Sequence, residues 1–134
     1  MKKKSTTCPC GSGQPLEHCC LPVINGTRAA SSAEALMRSR FSAYALDRQQ
    51  YLLSSWHPTT RPDSIESDPS IQWVRLKIID AHTRPDQVEF VATFKLNGKA
   101  YKMRENSRFI FENVTGFTWV LLNQQNDPCT SRGM

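Results

Sequence analysis

Val88-Glu89-Phe90-Val91-Ala92-Thr93-Phe94-Lys95-Leu96-Asn97-Gly98-Lys99-Ala100-Tyr101-Lys102-Met103 is the stretch from which the architecture follows. Val88, Phe90, Ala92 and Phe94 alternate with Glu89, Val91, Thr93 and Lys95, the period of a strand with one buried face. Asn97-Gly98 is the two-residue pair that closes a tight hairpin. Beyond the turn, Tyr101, Met103, Phe109 and Phe111 share one parity, opposite Lys102, Arg104 and Arg108. Upstream, Val74, Leu76 and Ile78 alternate with Trp73, Arg75 and Lys77; downstream, Gly116 precedes a last strand from Phe117 to Leu122. Four consecutive antiparallel strands are predicted.

Before Ile71 the period is helical. Ser31 and Glu34 have the spacing of a capping box, and Leu36, Met37, Phe41 and Tyr44 follow on one stripe. A second helix is predicted from about Asp47, with Tyr51, Leu52, Ser55 and Trp56 on one face and Pro58 ending it. Leu21 to Ala30 shows no period and reads as a connector; Thr59 to Ser70, with Pro62 and Pro69, reads as a loop. Helices followed by strands define an α+β domain, its helices packed on a curved antiparallel sheet.

The chain has 134 residues, 39% hydrophobic and 22% charged, which suits one folded domain with a small appendage. No apolar run approaches the roughly 20 residues that cross a bilayer. Lys2-Lys3-Lys4 is followed by Ser5-Thr6-Thr7 where a secretory signal needs apolar residues, so a cytoplasmic location is expected. Asn25-Gly26-Thr27 and Asn113-Val114-Thr115 then match the glycosylation pattern by chance.

Cys8-Pro9-Cys10-Gly11-Ser12-Gly13-Gln14-Pro15-Leu16-Glu17-His18-Cys19-Cys20 holds four of the five cysteines. In a reducing compartment such a cluster points to metal before disulfides. Four thiolates suit one structural zinc ion, and so short a loop needs the metal to fold. Gly11 and Gly13 permit the left-handed or otherwise crowded backbone conformations needed to fold a chain around one ion. His18 is the alternative to Cys19 as a ligand. Four thiolates remove four charges from the formal net charge of +5 and the zinc returns two, leaving a mild +3.

This segment resembles the SEC-C motif, C-x-C-G-S-G followed after a short stretch by [CH]-C. Leu36-Met37-Arg38-Ser39-Arg40-Phe41-Ser42-Ala43-Tyr44, Trp56-His57-Pro58 and Asn106-Ser107-Arg108-Phe109 extend the resemblance to the bacterial YchJ family. That resemblance implies a zinc knuckle over residues 1–24 and a nuclear-transport-factor-2-like cone over residues 25–124. Residues 125–134 resemble the opening of a second SEC-C motif, Asn126-Asp127-Pro128-Cys129, in a flexible tail where Cys129 would be a free thiol.

The fold alone assigns no activity. Glu105 and Ser107 fall on the parity of Met103 and Phe109, and a carboxylate there must be paired or face a pocket. One reading makes Glu105 an acid-base group working with His57 or Tyr44 in a pocket enzyme. Another makes it half of an ion pair with Arg38 or Arg40 that joins helix to sheet. The outward parity carries Arg75, Lys77, Lys95, Lys102, Arg104 and Arg108, offset by Glu89; this is a possible RNA or ribosome contact and also an ordinary solvent face. The expectation carried forward is a zinc-binding, non-catalytic module for a protein partner or a small ligand in the cone.

Overall fold

The computed structural model describes residues 7–65, 68–113 and 117–126. The readings placed on Lys2 to Lys4, on Val114, Thr115 and Gly116, and on the tail with Cys129 lie outside these residues. The chain begins with a loop and a single 3₁₀ turn (Leu16–His18), then forms α1 (Cys20–Ile24), α2 (Ala33–Ala45) and α3 (Gln49–Ser54). Four strands follow: β1 (Ile71–Asp80), β2 (Gln87–Leu96), β3 (Lys99–Asn113) and β4 (Phe117–Asn126). They pair antiparallel in the order β1-β2-β3-β4. The last strand therefore runs four residues past Leu122, and Asn126 pairs with Glu105 across the boundary expected at residue 125. Among the described residues, no helix is long and apolar enough to cross a membrane.

The β2–β3 hairpin turns at Asn97 and Gly98, both with positive φ (55° and 85°), as a two-residue connection matched to strand twist requires. Val88, Phe90 and Ala92 face Met103, Glu105 and Ser107 in register, and all six are buried on the side covered by the helices. In β1 the alternation breaks. An irregularity between Trp73 and Arg75 leaves Val74 43% exposed and turns Trp73 inward. There Trp73 meets Phe41, Tyr44 and Phe94 at ring separations of 5.9, 5.6 and 5.3 Å. The expected parity with Val74 inward is thus corrected by one extra residue, for which simple alternation has no signal.

The helices also begin differently from the capping pattern. Ser32, not Ser31, caps α2 and accepts from the Ala35 amide, which moves Glu34 out of capping reach and pairs it with Arg38 at 3.0 Å. Asp47 closes α2 instead of opening α3. With φ 62° it lets Arg48 N–H reach Ala43 O and its own N–H reach Tyr44 O, the paired bonds of a left-handed C-terminal cap. Residues 21–24, read as part of a connector, form the short α1 together with Cys20.

Helix α2 buries far more than one stripe. Ala33, Leu36, Met37, Ser39, Arg40, Phe41, Ser42 and Ala43 are all buried. The sheet covers one side, α3 another, and the cysteine loop a third, so Cys8, Cys10 and Cys20 belong to the same core as Leu36, Phe41, Leu76 and Phe109. Polar residues survive on this helix because each finds a partner: Ser39 Oγ donates to Leu36 O at 2.7 Å and lies 2.6 Å from the Tyr51 hydroxyl.

Candidate metal centre

The loop from Cys8 to Cys20 is closed by its own backbone before any metal is considered. Cys8 N–H donates to Gln14 O at 2.9 Å, and Gly11 N–H to Cys8 O at 3.3 Å. Gly11 has φ 84°, and a Cβ there would stand 3.2 Å from Leu76 O on β1, so both dihedral and space call for glycine. Gly13 has φ 86°.

This folding brings together the sulfurs of Cys8, Cys10, Cys19 and Cys20, all within 4.8 Å of one another. Bonds of about 2.3 Å to a tetrahedral zinc would set neighbouring sulfurs about 3.8 Å apart. Cys10 and Cys19 stand at 3.6 Å and Cys19 and Cys20 at 3.9 Å. The spacing fits a single ion and is far from the roughly 2.05 Å of a disulfide. His18 is not in the group: its ring lies at the surface, 3.6 Å from Glu17.

The electrostatics of the sulfurs are compatible with a cation among them. Hydrogen bonds from Cys10 and then Cys20 hold the Cys8 thiol well below its ordinary range. Interaction with Cys10 and then Cys8, together with burial, pushes the Cys20 thiol far up, and burial raises Cys19. The group resists becoming four thiolates by itself; a divalent ion supplies the charge that four thiolates need.

Groups outside the motif complete the centre. Ser42 of α2 places its hydroxyl 3.4 Å from Cys8 Sγ, and Ser12 places its own 3.1 Å from Cys19 Sγ. Arg38 donates to Cys10 O at 2.7 Å, while Arg28 donates to Cys19 O and, at 3.3 Å, to His18 O. Two guanidinium groups thus grip the backbone at the first and second ligand pairs, opposite the negative charge that four thiolates and one zinc would leave. Sequence spacing marked neither Ser42 nor Arg28. Arg38, considered for Glu105, serves the cysteine loop and Glu34 instead.

The second candidate group lies under the sheet. Glu105 is 1% exposed and Arg40 is 1% exposed. Arg40 Nη1 donates to Leu52 O at 2.8 Å and to Ser55 Oγ at 2.6 Å, and its guanidinium carbon stacks 4.9 Å from the Trp56 ring centre. Burial raises the Tyr44 phenol above its ordinary value; Arg40 opposes the rise and the Glu105 charge adds to it. Tyr44 and Glu105 therefore share one neighbourhood. His57 is placed at the turn after α3: its amide donates to Leu121 O at 2.7 Å, and Nδ1 lies 2.8 Å from Thr59 Oγ1. On the outer face, Arg104 pairs with Glu89 and Arg108 lies 3.8 Å from Asp86, so part of the basic stripe is neutralised locally.

Comparison with known proteins agrees with this geometry. The sequence matches the model of the YchJ middle NTF2-like domain over residues 32–122 and the SEC-C motif over residues 5–22. It is 40% identical over 130 residues to a UPF0225 protein of Methylibium petroleiphilum, covering 93% of each chain. It is 43% identical over 117 residues to a UPF0225 protein of Deinococcus radiodurans, covering 87% of this chain and 86% of the relative. The solution structure of a SEC-C motif containing protein from Rhodopseudomonas palustris superposes with a TM-score of 0.76 at 30% identity, over 90% of this chain and 98% of that one. The crystal structure of a SEC-C motif containing protein from Psychrobacter arcticus gives 0.73 at 25% identity, over 88% and 81%. A cysteine cluster able to hold a metal, set on helices that pack against a four-stranded antiparallel sheet, is the arrangement of the family to which the chain belongs, the YchJ (UPF0225) family.

Proposed function

We propose that the chain is a non-catalytic binding module whose N-terminal loop is locked by one structural zinc ion on the thiolates of Cys8, Cys10, Cys19 and Cys20. The observation that carries this reading is the place of the cysteines: three of the four are buried in the domain core, against α2, and are not carried on a detached loop. The zinc would supply folding energy and fixed shape at that corner, with no open ligand position for chemistry. The loop it locks then serves as one wall of a surface for a small ligand or protein partner, in a reducing cytoplasm that keeps the thiols available.

The enzyme reading has less support. Arg40 is bound to Leu52 O and Ser55, and burial raises the Tyr44 phenol, so these groups have the character of packing ties between α2 and α3. Zinc analysis tests the main reading. Protein purified under reducing conditions without added metal should contain one zinc per chain, and chelation should lower its melting temperature. Metal-free protein with four freely reactive loop thiols and an unchanged melting temperature would overturn it.

A further inference from the structure

The zinc loop does not end at the cysteines. α1 and the segment after it run on to form one side of a cleft of about 310 Å³, closed on the other side by α3 and β4. Its apolar lining comes from Val23, Ile24, Leu36, Trp119 and Val120. Arg28 is the charged side chain among the described residues that line it, and no carboxylate lines it. Asn25, also in the lining, holds Arg48 through its Oδ1 at 3.4 Å, which brings a second cation to the rim and leaves the Asn25 amide nitrogen as a donor. Behind the wall Arg40 donates to Ser55, another lining residue. The cleft therefore has an apolar side, a polar side that includes Tyr51, Ser54 and Ser55, and a cationic edge. Its volume is at the small end of the range for small-molecule sites and far below what a protein surface would fill.

We propose that this cleft binds a small amphipathic acid, with its hydrocarbon body against Leu36, Trp119 and Val120 and its carboxylate at Arg28 and Asn25. The proposal rests on the reading of the zinc loop as one wall of a binding surface and names the ligand class for it. Arg28 also ties the cleft to the metal centre. Its Nη2 holds the carbonyls of His18 and Cys19, while Nε and Nη1 have no hydrogen-bond partner among the described residues. A carboxylate can occupy those remaining donors without displacing the grip on Cys19. Ligand and zinc then favour the same placement of Arg28, and each strengthens the other's binding.

The test uses the full zinc-loaded chain, titrated with sodium octanoate and followed by ¹⁵N–¹H correlation spectra, with octanol and octylamine as controls. Octanoate should shift Gly26, Arg28, Tyr51, Ser54 and the Trp119 indole with one saturating curve, and bind at least about tenfold tighter than either control. Arg28→Gln should weaken octanoate about tenfold and leave octanol unchanged. Because Arg28→Gln also loosens the Cys19 carbonyl, Asn25→Asp serves as a second variant; it puts a like charge at the rim and should weaken octanoate without loss of zinc. Absence of saturable shifts at millimolar octanoate, equal binding of octanol, or shifts confined to other faces would overturn the proposal. Zinc content measured on the same samples separates the two readings. One zinc per chain without octanoate binding removes the cleft proposal alone, whereas octanoate binding by a chain that never holds zinc removes the metal reading alone.

Discussion

Two corners of this domain bury polar groups, and they do so by opposite means. The cysteine centre is assembled from thirteen consecutive residues, Cys8 to Cys20, closed by their own turns and glycines. The group under the sheet draws Arg40 and Tyr44 from α2, Ser55 and Trp56 from the end of α3, and Glu105 from β3. The first is local in sequence and has the geometry to hold a metal ion that would balance its charge. The second is distant in sequence, and its arginine is balanced by a backbone carbonyl, a serine hydroxyl and an aromatic face. A local device is written as spacing, while a distant one exists only once the sheet has formed.

The sharpest way to break this comparison is to remove a ligand. Cys10→Ser should lower stability by on the order of 4 kcal/mol, about 15 °C in melting temperature for a chain of this size. Because Arg38 holds the Cys10 carbonyl and Ser42 the Cys8 sulfur, spectral changes should reach α2 and Leu76. Changes that stop before Leu21 with no loss of stability would make the loop a separable appendage, as the expected division at residue 24 implied.

A smaller loss is expected at the other corner. Arg40→Leu removes the bonds to Leu52 O and Ser55 Oγ and should cost about 3 kcal/mol in urea denaturation. A double-mutant cycle with Glu105→Gln should show coupling of about 1 kcal/mol or more. An additive cycle would mean that Arg40 and Glu105 are buried independently, and that the inner group is not one unit.

How much of each corner the sequence discloses follows from the same contrast. The four cysteines, Gly11 and Gly13 were readable because their spacing is the feature itself. The hairpin at Asn97-Gly98 and the inward parity of Glu105 and Ser107 were readable for the same reason. Ser42 and Arg28 were not, since nothing near Ser42 shows that a cysteine thirty-four residues earlier will pack on it. Periodicity places Val74 inward because it cannot see an inserted residue. The extent of α2 burial was also hidden: its polar positions face the cysteine loop and α3, so they read as a solvent side until those partners are placed.

The weakest expected effect lies at the β1–β2 connection. Asp80 accepts from the His82 amide at 2.9 Å and the Thr83 amide at 3.1 Å, and its other oxygen accepts from the Thr83 hydroxyl at 2.6 Å. First the Thr83 hydroxyl, then those amides, lower its carboxyl to about 2 from 3.8. A depressed folded value means that its contribution is present above the unfolded value and is lost as pH falls from about 4 through about 2. Asp80→Asn should lower the melting temperature slightly at neutral pH, and the difference should shrink as pH falls from about 4 through about 2. An identical acid profile for both proteins would show that the turn holds without the charge.

Cys8, Cys10 and Cys20 are buried, and Cys19 alone of the four is half-exposed, with the Ser12 hydroxyl resting on its sulfur. An oxidant or alkylating agent approaching from water therefore meets one sulfur. Chemical attack on the centre has an order: Cys19 reacts first, and the other three become reachable only after the loop that it anchors has opened.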